Sequence, residues 1–134
     1  MKLLSLLFIT LISIKSCGDT TTAETSSLNL TGEFHITALE ANTEVPEKLS
    51  ISFDTEKNTV SGFSGCNRFS GTYSVENETI AFGPLATTRK MCRGEANAIE
   101  SRTLSLLSKI NAFSIEGKTL SLKAGTETLI KAVQ

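Results

Sequence analysis

The sequence has one histidine, one tyrosine, no tryptophan and only three cysteines among 134 residues. Few side chains are therefore on hand for proton transfer near neutral pH or for holding a metal ion. An excess of one charge is also missing, since 13 Lys and Arg face 14 Asp and Glu for a formal net charge of -1. Without a run of cations interleaved with aromatics, the chain carries no electrostatic footprint for DNA or RNA, and nucleic acid is excluded as a partner. It has only two prolines and no internal repeat of roughly 20 to 50 residues. What is present is ordinary for a folded domain: 40% hydrophobic and 20% charged residues, in a length that suits one domain of roughly 100 to 150 residues.

The one long apolar run is Leu3 to Ile14, behind the single positive charge of Lys2. As a helix it would reach only about 18 Å, against roughly 30 Å of hydrocarbon in a bilayer, so it reads as a secretory signal rather than a membrane span. Its end, Ile14-Lys15-Ser16-Cys17, resembles a bacterial lipobox, in which a small residue precedes a cysteine that is lipidated and becomes the mature N-terminus. Residues 1–17 are expected to be the signal peptide, with Cys17 the lipidation site. Processing there removes Lys2 and Lys15, leaving 11 cations and 14 acids, a net charge of -3. Residues 18–28, rich in Thr and Ser and poor in large apolar side chains, read as a flexible tether. The folded domain is expected over residues 29–134.

Within that domain the apolar spacing is two, the period of strands with one buried face. Leu49, Ile51 and Phe53 alternate with polar residues up to Glu56-Lys57-Asn58 and resume at Val60, which predicts a hairpin. Tyr73 and Val75 before Glu76-Asn77-Glu78, with Ile80 and Phe82 after it, predict a second. Phe113 and Ile115, then Leu120 and Leu122, then Leu129 predict a three-strand meander, and Phe34 and Ile36 an earlier strand. The exception is Ala96, Ile99, Thr103, Leu106, Leu107 and Ile110, whose spacing of three and four predicts one amphipathic helix over about 94–109. Glu95 near its start and Lys109 near its end suit the helix dipole. About eight short antiparallel strands and one helix imply a mainly β protein, closed or nearly closed into a small barrel.

The most individual stretches are Ser61 to Tyr73, SGFSGCNRFSGTY, and Leu85 to Cys92, LATTRKMC. Together they resemble the META domain, the module of HslJ-like bacterial lipoproteins, which shows a GCN-x-x-x-G-x-Y segment followed by a T-R-x-x-C segment. Phe34 stands where relatives often carry tryptophan. The resemblance implies a small antiparallel, lipocalin-like barrel, no enzymatic activity and no cofactor, and an association with bacterial envelopes and stress responses.

Cys66 and Cys92 are the two cysteines of the expected mature fold, and an exported chain resides where disulfides persist, so they are expected to pair with Cα atoms within about 7 Å. A zinc site built from them and His35 has no C-x-x-C spacing to recommend it. Ser64 sits in Gly62-Phe63-Ser64-Gly65, but Cys66 takes the place of the last glycine of a nucleophile elbow, and His35 is distant in sequence; a hydrolase using Ser64 and His35 is the third-ranked reading. A disulfide would gather Asn67, Arg68, Arg89 and Arg93 into one candidate binding patch, with Lys90 beside it. The plainer alternative is that Asn67 bonds to the backbone of its turn and Arg89 pairs with an acid. The function expected is therefore binding or structural support at the envelope by a monomer, held at the membrane by its N-terminal lipid and meeting an anionic partner. A carrier enclosing a small apolar ligand among Leu49, Ile51, Phe53, Val75, Ile80, Phe82, Leu120 and Leu122 is the runner-up.

Overall fold

The computed structural model describes residues 30–134; the leader, Cys17 and the whole of the tether at 18–28 lie outside the described residues. The elements run β1 (Gly32–Leu39), β2 (Ser50–Asp54), β3 (Thr59–Phe63), β4 (Arg68–Glu76), β5 (Thr79–Phe82), β6 (Ala86–Thr87), α1 (Glu95–Leu107), β7 (Ala112–Glu116), β8 (Thr119–Ala124) and β9 (Glu127–Val133). Side chains alternate as the period predicts: Phe34 and Ile36 of β1 are buried while Glu33, His35 and Thr37 are exposed.

Eight of the strands close into an antiparallel barrel in the order β1-β2-β3-β4-β5-β7-β8-β9, with β9 returning to β1. The pairing of β3 with β4, from Thr59↔Thr72 to Phe63↔Arg68, joins what would otherwise be an open strip. Closure leaves each long strand with a neighbour on both sides, which is how a small β protein avoids reactive edges. The two-residue β6 is the ninth strand among the described residues, and the sequence pattern did not announce it. It lies along the same edge of β4 as β5 but one residue out of step, Phe69↔Thr87 against Tyr73↔Phe82. The two are one strand interrupted by a bulge at Gly83–Leu85. The thinnest seam is β5 to β7, where Thr79 faces Ala112 and the Ile80 and Phe113 amides donate to the Asn111 and Glu78 carbonyls at 3.1 and 2.9 Å.

The barrel interior is one continuous apolar cluster that includes Phe34, Ile51, Phe53, Val60, Phe69, Tyr73, Phe113, Leu122 and Ile130. Leu49, Ile51, Leu120 and Leu122 are 0% exposed, so no water-sized space adjoins them. The carrier reading needed these side chains to line a lumen; they fill it instead. Val75 departs from the expected inward set at 42% exposure, because β4 runs past the barrel wall into the Glu76–Glu78 turn. Phe82 is half-buried and stacks on Phe53. Gly62 faces inward on β3, and a Cβ there would stand 2.5 Å from Phe69 Cζ and against the Ser50 carbonyl, so the Phe69 ring occupies the space that a side chain would need.

α1 is shorter than the periodicity suggested. It starts after Gly94, whose φ of 65° suits glycine, and ends at the Ser108 C-cap, leaving Lys109 outside and no cation in its last turn. It covers the end of the barrel at which β1 and β3 finish and β2 and β4 begin. Leu106, Leu107 and, just beyond the helix, Ile110 join the core cluster; Arg102 pairs with Glu40 past the end of β1; and Ile99 sits against Gly65 in the β3–β4 turn.

Candidate functional site

The rim under α1 is organised by Asn67, which is 5% exposed. Its Nδ2 donates to both carboxylate oxygens of Glu100 on α1, at 3.2 and 3.0 Å, and to the Lys90 carbonyl at 3.2 Å. Its Oδ1 accepts from the Thr88 hydroxyl at 2.9 Å and the Lys90 amide at 2.7 Å. One side chain thus joins the start of β4, the segment after β6 and the helix, and no hydrogen-bonding capacity remains for a ligand. Asn67 therefore belongs to the scaffold of the predicted patch and not to its surface. Glu100, buried at 9% exposure on the helix face it shares with Thr103, Leu106 and Leu107, is the partner that the period of three and four could not announce.

Cys66 and Cys92 form a disulfide with Cα atoms 5.9 Å apart, tying the same rim to the segment that leads into α1. Ser64 is 0% exposed and its Oγ donates to the Asn67 carbonyl at 2.8 Å, with the Ser64 amide donating to the same oxygen at 2.9 Å. A hydroxyl so enclosed cannot meet a substrate, which removes the hydrolase reading built on Ser64 and His35.

The register brings His35 to this rim although it is far away in sequence. On the outer face His35 lies opposite Ser50, Ser50 opposite Phe63, and Phe63 opposite Arg68. Thr88 extends the row, its amide donating to the Arg68 carbonyl at 3.0 Å and its Oγ1 accepting from the Arg68 amide at 3.1 Å. At about 4.8 Å per strand the row from His35 to Arg68 is roughly 14 Å wide. Above it opens a cleft of about 650 Å³, with Ser50 and half-buried Phe63 as floor, Glu33, His35, Glu47 and Lys48 on the β1–β2 side, and Cys66, Arg68, Thr88 and Lys90 on the other. Arg68 and Thr88 also border a second hollow of about 360 Å³ that continues along Ser61, Ser70 and Ala86. The ion pairs among the described residues are Lys57–Asp54 and Arg102–Glu40, so Arg68, Arg89, Lys90 and Arg93, all exposed, enter neither.

The structure divides the predicted patch. Arg68 stands in the cleft wall, joined there by Lys90. Arg89 and Arg93 do not line the cleft; they flank it on the loop that the disulfide holds. Sequence reasoning did not single out Glu33, Glu47, Lys48, Ser50 or Phe63 as site residues, because only the register across β1 to β4 sets them side by side. An apolar groove of about 550 Å³, lined by Phe82, Pro84, Leu85, Leu104, Leu107 and Ile110, lies outside the barrel between α1 and the β5–β6 bulge.

The META domain family model matches residues 26–134. No curated protein sequence matches the chain. Among solved structures, the fold is similar to the NMR structure of a protein from Burkholderia xenovorans, with a TM-score of 0.63 and 22% identity over 78% of this chain and 82% of that one. A second NMR structure aligns with a TM-score of 0.60 and 27% identity over 78% and 90% of the two chains. A crystal structure of a DUF4847 family protein from Bacteroides vulgatus aligns with a TM-score of 0.58 and 14% identity over 78% and 92%.

Proposed function

This chain belongs to the META domain family, and on that premise we propose that it is an exported, lipid-anchored protein of the bacterial envelope. It acts without catalysis, by holding an anionic partner in the cleft on the outer face of β1 to β4, in a role linked to the stress response. The observation that carries the reading is the cleft wall of Arg68 and Lys90, two cations outside the ion pairs, beside an aromatic and hydroxyl floor. Guanidinium and ammonium groups in such a wall meet carboxylate or phosphate, and Phe63 offers an apolar face to whatever carries the anion. The backbone that carries the wall is held by the Cys66–Cys92 disulfide and the Asn67 amide, so binding orders side chains and not the loop. A disulfide also fits a compartment outside the cytoplasm.

The test is titration of the protein with inorganic phosphate and with oligogalacturonate, followed by amide NMR. Shifts confined to Arg68, Thr88, Lys90 and the strands beneath them, and lost in Arg68→Gln, support the cleft. Saturating amounts of both anions without a shift there refute it. Mass spectrometry of the N-terminus tests the anchor separately: acyl chains on Cys17 support it, and an unmodified N-terminus elsewhere removes it.

A further inference from the structure

The loop between β6 and α1 carries a feature that the cleft does not use. Met91 is 100% exposed, the most exposed large apolar residue among those described. Thr88 and Lys90 line the cleft, whereas Arg89 and Met91 between and after them do not. Arg93 follows on the far side of Cys92, and all three residues are exposed. A single exposed apolar side chain is ordinary. This one is set between two arginines, on a loop held by the Cys66–Cys92 disulfide and by the 2.7 Å bond from the Lys90 amide to Asn67.

Charge distinguishes the loop from the rest of the domain. Residues 30–134 hold 11 cations and 12 acids, whereas Arg89, Lys90 and Arg93 are followed by one acid, Glu95. The first turn of α1, capped by a glycine without a side-chain hydrogen bond, adds the partial positive charge of its free amides.

We infer that the Arg89–Arg93 loop docks on an anionic phospholipid surface, its arginines among the headgroups and Met91 entering the apolar layer. A hydrated polysaccharide or an acidic protein loop would satisfy the arginines but give Met91 nothing apolar to enter, whereas a bilayer interface supplies both. Each arginine strengthens docking about fivefold, which is about 1 kcal/mol near an anionic surface. Partial insertion of the methionine adds about tenfold, or about 1.4 kcal/mol. These contributions are too small to recruit a free protein, but they are enough to orient one already tethered, for which the membrane is at high effective concentration. Docking by this loop would present the neighbouring cleft at headgroup level. The inference rests on the membrane location proposed above and not on the identity of the cleft's ligand.

The absence of tryptophan from the chain makes the test direct, because Met91→Trp introduces the sole indole. The full protein with this change is reconstituted into vesicles of phosphatidylcholine alone or mixed with phosphatidylglycerol, and its emission is read. A blue shift only with phosphatidylglycerol, reversed by high salt, supports docking. Adding Arg89→Gln and Arg93→Gln should lower the docking equilibrium constant by about 25-fold, the product of two fivefold contributions. Emission that stays at the position of fully hydrated indole in both vesicles overturns the inference, as does a shift that survives the double arginine change. If the protein proves not to be anchored, coupling it through an N-terminal cysteine to a maleimide lipid in the same vesicles restores the tether, and a missing shift then counts against the loop alone. The anion titration of the cleft is unaffected by either result.

Discussion

Removing the Cys66–Cys92 bridge is the most informative perturbation of this fold. The bridge spans 26 residues of sequence, and its loss restores the freedom of that loop to the unfolded chain. The loop-entropy relation puts the effect at about 3.5 kcal/mol. For a domain of this size about 4 °C accompanies each kcal/mol, so Cys66→Ala with Cys92→Ala should lower Tm by roughly 15 °C. In the native state the loop has a second attachment, because Asn67, besides donating to Cys66 Sγ, binds Thr88, Lys90 and Glu100 through bonds that do not involve sulfur. The folded structure should therefore survive, and the penalty should arise in the unfolded state. Thermal and urea unfolding followed by circular dichroism separate the two: the double variant should show a larger m-value, since its unfolded chain is no longer cross-linked and exposes more surface. The parent under reductant should behave like the variant. Equal melting with and without reductant would refute the reasoning outright. A large drop in Tm with an unchanged m-value would show instead that the native rim collapses, and that the Asn67 attachments do not hold it alone.

Asn67→Ala should destabilise by about 3 kcal/mol or more, because it leaves Glu100 and the Lys90 amide without partners inside the fold; chemical denaturation measures it, and a loss below about 1 kcal/mol would contradict the scaffold role. Asn67→Asp should cost at least as much at neutral pH, since it sets a second carboxylate against Glu100 and removes the Nδ2 donor, and a midpoint equal to the parent's in chemical denaturation would contradict it. Gly62→Ala should destabilise by about 1 to 3 kcal/mol as Phe69 and the Ser50 carbonyl are pushed aside, and an unchanged midpoint would mean that the ring has room to move. The Asp54 carboxyl titrates below its ordinary value, chiefly because the Lys57 amide donates to it, with the Lys57 charge and the Glu56 amide also lowering it. Its contribution is therefore present above pH 3.8 and disappears as the pH falls through the depressed value, so Asp54→Ala should flatten the acid limb of the stability curve; an identical limb in the variant would disprove it.

Much of the fold was legible because burial writes a period of two into a strand and of three and four into a helix. Leu49, Ile51 and Phe53 read as one face before any neighbour was known. The period is silent about how far the barrel wall extends along a strand, so Val75 continued an apolar face that the folded chain leaves exposed. β6 was not legible because Ala86 and Thr87 are too short a run to show alternation; β4 selects them through its free backbone edge. The site was half legible. Cys66, Asn67 and Arg68 stood out as local features, but their roles depend on groups brought in from a distance: Glu100 from a helix 33 residues away, and His35 through three cross-strand registers. A single chain shows which side chains can make such contacts but not which of them meet.

The pairing of β1 with β9 has a consequence for how the molecule is made. His35 to Leu39 find their partners in Val133 to Ile130, and Thr37 bonds to Lys131 across 94 residues of chain. β9 follows every other strand of the barrel in chain order, so a nascent chain cannot close the cylinder until these residues have been made. Until then β1 and β8 both present bare edges, and the interior is open along its length. A protein of this topology must complete its most distant contact last, with a folding rate governed by that long closure. It is therefore most exposed to mispairing with another chain during synthesis. Loss of the seven residues of β9 would leave the other eight strands with nothing to close against.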